Sequence, residues 1–463
     1  MPPPRSPGWS SRRRREAAPL NVHLIGIGGS GMSALAHLYL ERGDVVSGSD
    51  AAASPVTHAL AGEGARIAIG HSGDNIGEAD IVIASTAIGD GNPELLEARR
   101  RGLRVVSRGR AAAELAGGRR QVAIAGTHGK TTTTTMVAAV LEATDPLVLS
   151  GGRLPGTIYN SRPGRGPFAV VEADESDGSF LELVPEVGVV TNVEADHLDR
   201  YRDLEQIERA FELFASRITG SLAACVDDPG ARALLVAAPG AVVSYGFDPA
   251  EVRASAYAPR AGGCEFEVDS PWGRAQVRLP IPGRHNAANA LGAIAAGLLL
   301  RRPLAEVVAR LATVELPGRR LELVAEIGGA RVYDDYGHHP TEVAATLSAA
   351  REICAGRLLC AFQPHRYSRL KALMEDFGSS FVSADEVLLL PVYGAGEAAI
   401  DGATSAALAE SIHRRDPGRP VELLASLDQL PGELRARLHP GDVAVCMGAG
   451  DIYLASRRLK EAV

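Results

Sequence analysis

Lysine is nearly absent from this 463-residue chain: Lys130, Lys371 and Lys460 stand among 48 basic residues, and the rest are arginine. Cysteine is scarce too. Cys225, Cys264, Cys354, Cys360 and Cys446 are scattered with no CxxC pair. That excludes a disulfide framework and a zinc ribbon, and it fits a reducing, cytoplasmic setting. No apolar run approaches the roughly 18 residues of a membrane span, so no membrane partner is expected. The N-terminal stretch carries prolines and SRRRRE but no apolar segment behind the basic residues, so it is not read as a signal peptide. Residues 1–19 are expected to be a disordered extension. An excess of positive charge is also missing. The net charge of −8 argues against nonspecific nucleic-acid binding. With 46% hydrophobic and 22% charged residues the composition is that of an ordinary globular protein, and the length suggests about three domains.

Against so little lysine, Lys130 directly after Gly129 stands out. It lies in Gln121 to Met136, QVAIAGTHGKTTTTTM. Val122 to Ala125 reads as a buried strand, Gly126 to Lys130 as a tight loop, and the threonines as the entry to an Ala/Val/Leu-rich helix ending near Glu142. Strand, Gly-rich loop and helix N-terminus together make a phosphate site, because free N–H groups and the positive end of the helix dipole face the anion. Lys130 adds a cation for the β- and γ-phosphates, and Thr131 a hydroxyl for Mg²⁺. The alternative is a glycine-capped turn with a solvated lysine. The full GxxxxGK[ST] spacing would need glycine at 124, where Ile124 stands, so this is a shorter GTxGKT variant.

Upstream, a strand over 21–27 runs into Gly26-Ile27-Gly28-Gly29-Ser30-Gly31, and a helix is expected over 32–42. A second strand, Val45 to Ser49, ends at Asp50, 19 residues past Gly31. This is the dinucleotide fingerprint with its acidic ribose partner. It suits any nucleotide diphosphate. Taken alone it would also suit NAD in a dehydrogenase, and the glycines could serve packing only. Short βα units follow. Ser85 and Thr86 stand at the C-terminal end of one strand (80–85), where ligands of open parallel sheets gather. The stretch 220–280 reads as strands and turns.

Carboxylates cluster at two further strand ends. Phe168 to Val171 delivers Glu172, Asp174, Glu175 and Asp177, which repel one another unless a cation neutralises them. The choice is a solvated acidic turn or a Mg²⁺ site. Val187 to Val190 leads to Glu194, Asp196, His197 and Asp199, with His197 either structural or a ligand. Arg153 sits in a glycine turn. His285 and Asn289 open an Ala/Leu-rich helix and suit an adenine edge or an N-cap. Asp334 to Glu342, DDYGHHPTE, does not carry the HExxH zinc pattern. In QPHRYSR, Arg366 and Arg369 beside His365 suit a carboxylate. Strands are also expected at 358–362, 387–391 and 443–447.

GIGGSGMSALA, GTHGKTTTT, EADESDGSF, TNVEADHLD, PGRHNAANA, DDYGHHPTE and QPHRYSR, in that order from about 22 to 451, resemble the signature blocks of the Mur ligases. The resemblance implies an α/β chain of three domains: a Rossmann-like UDP-sugar domain (20–118), a central P-loop-type ATPase domain with a mainly parallel sheet (119–318), and a Rossmann-like C-terminal domain (319–463) that closes over ATP and the amino acid. It implies ATP-dependent joining of L-alanine to the lactyl carboxylate of UDP-N-acetylmuramate, with Mg²⁺ as cofactor. The runner-up is the branch that attaches a preformed tripeptide to the same UDP-sugar in cell-wall recycling. The implied ATP site is Gly126, Thr127, His128, Gly129, Lys130, Thr131, Thr132, His285 and Asn289. The implied UDP-sugar site is Gly28, Gly29, Gly31, Met32, Ser49, Asp50, His71, Ser85, Thr86 and Arg153. Tyr336, His338, His365, Arg366 and Arg369 would surround the alanine, and Thr131, Glu172 and His197 would hold Mg²⁺. Lys130, His197, His338 and Arg366 are the implied catalytic residues, with His338 assisting deprotonation of the amine. Residues 198–220 contain no lysine, so the carbamylated lysine of some Mur ligases has no counterpart. The expected assembly is a monomer or homodimer.

Overall fold

The computed structural model describes residues 18–85, 87–197 and 200–459. Residues 1–17 of the expected extension and Thr86 lie outside the described residues. The chain divides into two compact units, 1–111 and 112–463.

The first unit is a parallel sheet built from Asn21–Ile25 (β1), Val45–Asp50 (β2), Arg66–Ile69 (β3), Ile81–Ala84 (β4) and Arg104–Ser107 (β5). Their order is β3-β2-β1-β4-β5. Strand order reverses between β1 and β4, which puts a ligand crevice at the carboxyl end of β1. β1 stops two residues short of the expected Ile27. Gly26 takes φ +77°, and the amides of Gly26 and Ile27 both donate to Ser49 O. The helix behind the loop starts at Ser30, earlier than expected, because Gly29 serves as its N-cap.

The second unit carries two sheets. The larger runs through Arg120–Ala125 (β6), Leu147–Leu149 (β7), Ser161–Arg162 (β8), Phe168–Glu172 (β9), Val187–Val190 (β10), Ser221–Cys225 (β11), Ala241–Gly246 (β12), Val252–Arg260 (β13), Gly263–Ser270 (β14) and Gly273–Leu279 (β15). Its order is β15-β14-β13-β12-β11-β10-β6-β9-β7-β8, parallel from β7 through β13 with antiparallel strands at both edges. The buried runs VAIA and VGVV are those of central strands covered on both faces. The stretch 220–280 also holds a helix, Pro229–Ala237, capped by Asp228 with proline at its first position. That signal was open to reading from sequence.

The smaller sheet joins Glu322–Ile327 (β16), Ala330–Asp335 (β17), Leu358–Phe362 (β18), Glu386–Leu389 (β19), Val421–Leu423 (β20) and Val443–Met447 (β21). Its order is β16-β17-β21-β18-β19-β20, parallel except for the β16–β17 hairpin. β19 ends at Leu389, short of the expected Pro391. One of its faces packs Phe362 between Phe377 and Phe381, with ring centroids 5.6 and 5.4 Å away.

Helix Lys130–Val140 opens with five threonines, which are poor helix formers because a β-branched side chain loses rotamers against the preceding turn. Burial overrides that preference. Thr131 to Thr135 are all buried, and Thr135 Oγ1 returns a bond to Thr131 O at 3.0 Å. Helix Arg284–Leu299 packs against it.

Truncation of Phe362, fully buried among aromatic partners, to alanine should cost about 3–5 kcal/mol. Chemical denaturation of the purified variant checks this, and a loss under about 1 kcal/mol would contradict the packing described.

Candidate active site

The phosphate loop is stitched to the strand end that follows β10. The amide of His128 donates to Asn192 Oδ1 at 2.7 Å, and His128 O accepts from Thr191 Oγ1 at 2.6 Å and Asn192 Nδ2 at 3.1 Å. Gly126 lies at φ +133°, and a Cβ there would stand 2.0 Å from Thr191 Oγ1, so only glycine fits. Gly129, at φ +79°, would place a Cβ 2.5 Å from Asn289 Oδ1. The loop and the helix bearing Asn289 are thus pressed together.

Lys130 is buried where three groups converge. Its Nζ donates to Gly126 O at 2.6 Å and Thr127 O at 3.1 Å, and lies 2.9 Å from the Glu175 carboxylate. Burial pushes the Glu175 carboxyl up to about 7, against the pull of Lys130. The acidic cluster therefore has Lys130 as one of its cations. Glu175 was counted in that cluster but not singled out as the lysine's partner.

Thr131 Oγ1 donates to Glu172 Oε1 at 3.0 Å, and the amide of Gly151 donates to Glu172 Oε2. Burial raises the Glu172 carboxyl despite these bonds. Hard oxygen donors short of positive charge fit a divalent cation such as Mg²⁺. His197, the third expected ligand, has left-handed φ of +53°. Its Nε2 faces Asp196 Oδ2 at 3.7 Å and Glu175 Oε1 at 3.9 Å, and burial holds the ring neutral, as a ligand requires.

A second donor set stands on the other side of the loop. His128, Glu194 and His339 offer ligand atoms within 4.8 Å of one another. His339 caps helix Pro340–Glu352, its Nδ1 accepting from Thr341 N at 3.4 Å, so in the neutral ring Nε2 carries the proton. His128 Nδ1 is 3.2 Å from Glu342 Oε1, and its Nε2 is 3.6 Å from Glu194 Oε2. Burial alone would lower the His128 pKa, but the two carboxylates push it up to about 9. This group is better described as an imidazolium between two carboxylates than as a metal centre.

The same helix start explains HHPTE. His339 is the N-cap, Pro340 the first helical residue, and Glu342 the third, accepting from the amides of His338 at 2.9 Å and His339 at 3.3 Å. Proline and glutamate at these positions are capping signals. The histidine cap obscured them in the sequence.

Of the expected alanine-binding residues, four form one chain of contacts. The His338 ring lies 5.3 Å from Tyr336 and 5.8 Å from His365, and His365 Nδ1 is 3.4 Å from Arg369 Nη1. Burial lowers His338 to about 4 and His365 to about 3, so both are neutral near pH 7. His338 Nδ1 lies 3.1 Å from Tyr336 O, which can only accept, so Nε2 keeps its lone pair. Arg369 is not an open clamp. Its Nε and Nη2 donate to Asp196 Oδ1 at 3.2 and 3.1 Å, both side chains being over nine-tenths buried. Arg366, at φ +68°, is the N-cap before helix Tyr367–Ala372, and its charge acts on His365 and Glu397.

A cavity of about 280 Å³ lies beside the loop, lined among others by His128, Gly129, Thr132, His285, Asn289 and Arg320. Burial lowers His285 to about 4.

In the first unit the glycine loop is tied to Asp50. The amide of Gly28 donates to Asp50 Oδ2 at 2.9 Å, and that of Gly29 to Gly26 O at 3.1 Å. The anion-facing amides are therefore those at the helix start, Ser30 to Met32. Met32 can offer only its backbone, because its side chain is core. Arg108, unremarked in the sequence, lies over this helix start: a Cβ on Gly31 would stand 2.8 Å from its side chain. Ser49 is a correction. It is fully buried, and its hydroxyl donates to Glu94 Oε2 at 2.6 Å, so it supports His71 from behind instead of meeting a ligand. Ser85 Oγ accepts from Ala87 N at 3.1 Å. Arg153 is exposed in the second unit.

Three family profiles match the chain: "Mur ligase family, catalytic domain" over 21–120, "Mur ligase middle domain" over 124–297, and "Mur ligase, glutamate ligase domain" over 319–450. Among similar proteins are the UDP-N-acetylmuramate–L-alanine ligases of Solidesulfovibrio magneticus, 45% identical over 93% of this chain and 96% of the relative, and of Symbiobacterium thermophilum, 45% identical over 96% and 94%. The crystal structure of the UDP-N-acetylmuramate-alanine ligase of Thermotoga maritima is similar with a TM-score of 0.80 at 30% identity, covering 96% of this chain and 98% of that one. A murein peptide ligase from Psychrobacter arcticus gives 0.69 at 26% identity over 96% and 98%.

The His128 pKa is raised from 6.5 to about 9, so the stability it contributes is fully present below pH 6.5 and is lost as pH rises through 9. Melting temperatures of the parent and His128→Gln should converge across that window. A gap that stays constant from pH 6.5 to 9.5 would contradict a charged His128.

Proposed function

The chain belongs to the Mur ligase family, and on that premise we propose that it joins L-alanine to the lactyl carboxylate of UDP-N-acetylmuramate. It is an ATP-dependent, amide-forming ligase of peptidoglycan precursor synthesis; the products are ADP, phosphate and UDP-N-acetylmuramoyl-L-alanine. We place the reaction in the cytoplasm; among the described residues no helix is long and apolar enough to cross a membrane.

One observation carries the assignment of roles. The phosphate loop and the neutral imidazole cluster share a single connected set of side chains. Glu342 touches both His128 of the loop and His338, and Arg369 touches both His365 and Asp196, the neighbour of His197. These contacts support reading a phosphoryl-transfer centre and an amine-binding centre as parts of one cleft.

A carboxylate and an amine do not condense in water, so the carboxylate must first be activated. Its oxygen attacks the γ-phosphorus of ATP, giving an acyl phosphate and ADP. Lys130 holds charge at the transferring phosphoryl group, with the amides of the loop and helix start alongside it. Thr131, Glu172 and His197 would hold Mg²⁺, which screens the repulsion between carboxylate and triphosphate. His285 and Asn289 face the cavity that suits adenine. On the acceptor side, Arg366 is the cation proposed for the alanine carboxylate. His338 Nε2, unprotonated at neutral pH, accepts a hydrogen bond from the alanine nitrogen and orients it, and the ammonium gives its proton to solvent. The free amine attacks the acyl carbon, and phosphate leaves from the tetrahedral intermediate. Water would hydrolyse the acyl phosphate, so contact between the lobes carrying the loop and Glu342 protects it.

ADP release with ATP, Mg²⁺ and UDP-N-acetylmuramate should depend on L-alanine, and only weakly on glycine or on L-alanyl-γ-D-glutamyl-diaminopimelate. Lys130→Ala should lower turnover by about 10²-fold or more. Near-normal turnover of that variant, or release driven best by the tripeptide, would overturn the assignment.

A further inference from the structure

Glu94 has no part in the chemistry above, yet among the described residues of the first unit it is the most heavily engaged buried carboxylate. It is fully buried in the first turn of helix Pro93–Arg100. Its Oε1 accepts from Asn75 Nδ2 at 2.8 Å and Ser72 N at 3.2 Å, and lies 3.2 Å from His71 Nδ1. Its Oε2 accepts from Ser49 Oγ at 2.6 Å and lies 3.0 Å from His23 Nε2. Three donors, Asn75, Ser72 and Ser49, point at this one carboxylate and two imidazoles stand beside it: burial alone would raise the group, and the bonds from His23, Ser49 and Asn75 hold it down at about 2.

An ionised carboxylate can only accept. His71 therefore carries its proton on Nδ1, and His23 on Nε2. The Ser49 hydroxyl spends its single proton on Glu94, so at 3.1 Å from His71 Nδ1 it too is an acceptor there. Both neighbours of His71 Nδ1 demand the same tautomer, and in the neutral ring Nε2 is left with a lone pair. The Nδ1 edge is turned onto two fully buried groups, and a quarter of the His71 side chain is exposed. His71 follows β3, next to Asp50 at the end of β2, since Gly70 N donates to Asp50 O at 2.8 Å. That is the carboxyl-end rim where the nucleoside half of a ligand lies in such sheets.

We propose that Glu94 is a positioning residue that presets His71 as a hydrogen-bond acceptor for a donor on the uridine half of the UDP-sugar, either the ribose 2′-hydroxyl or the uracil imide N–H. The proposal rests on the reading that His71 contacts that substrate. A site built only of acceptors selects for a ligand donor and rejects an analogue that lacks it, because the buried partner is then left unpaired. Glutamine at 94 keeps the shape but brings an amide NH₂, which can donate to His71 Nδ1 and shift the proton to Nε2.

Four measurements on the full chain test this. Nitrogen-15 NMR of histidine-labelled protein should show His71 as the Nδ1–H tautomer; the Nε2–H tautomer would overturn the proposal without any variant. Glu94→Gln should raise the KM for UDP-N-acetylmuramate about tenfold or more while kcat and the KM for ATP stay within about twofold. An unchanged KM, or a loss confined to kcat, would overturn it. Should this variant not fold, the wild-type NMR result decides. His71→Ala separates the two layers of the argument. If it leaves the UDP-sugar KM unchanged, the reading of His71 as a contact fails. If it raises the KM and Glu94→Gln does not, only the role of Glu94 fails. The 2′-deoxyuridine and 3-methyluridine analogues identify the donor: the one that loses affinity for wild type but not for His71→Ala lacks the partner of Nε2. No loss with either analogue would overturn the acceptor assignment.

Discussion

A buried ammonium is the constraint on which the catalytic half of this molecule depends. Lys130 sits among two loop carbonyls and the Glu175 carboxylate. Its charge lets four acidic residues crowd one strand end beside a loop built for anions. Without it, Glu172, Asp174 and Glu175 would repel one another and the incoming triphosphate alike. The rest of the loop follows from placing that charge: Gly126 permits the approach of Thr191, and Gly129 that of Asn289. A guanidinium could not replace it, because its rigid fork cannot reach two carbonyls of a tight turn and a carboxylate from one compact head.

The same economy of charge joins the larger and smaller sheets of the second unit. His128 faces Glu342, Thr341 Oγ1 donates to Glu194 Oε2 at 2.6 Å, and Arg369 clasps Asp196. Each contact pairs a group beside the phosphate loop with one beside the acceptor cluster. Opening the lobes would return Asp196 and Arg369 to water, so their buried pair fixes how the lobes meet more than how firmly they hold. Closure and phosphate binding thereby share residues, which is what an unstable acyl phosphate requires.

Much of this was legible in the sequence. Central strands announced themselves as short apolar runs, and β10, β18 and β21 match their expected bounds. The phosphate loop was legible because backbone geometry dictates its glycines. Other features were hidden for physical reasons. The Arg369–Asp196 pair joins positions 173 residues apart, and no local pattern encodes it. Glu94 looks like any surface glutamate in a charged helix, and only the fold buries it. Ser49 stands at a strand end, where ligands gather, yet the β2 register turns its side chain inward. Five threonines at a helix start oppose intrinsic propensity, and tertiary burial decided that contest.

The central claim is that the sugar carboxylate is activated by phosphoryl transfer before the amine attacks. Oxygen-isotope transfer tests it most directly. UDP-N-acetylmuramate labelled with ¹⁸O in its lactyl carboxylate would be turned over with ATP and L-alanine, and the released phosphate weighed by mass spectrometry. The account predicts that each phosphate carries one ¹⁸O taken from the carboxylate. Phosphate free of label would mean that the carboxylate never bonded to phosphorus, and would contradict the mechanism built on Lys130.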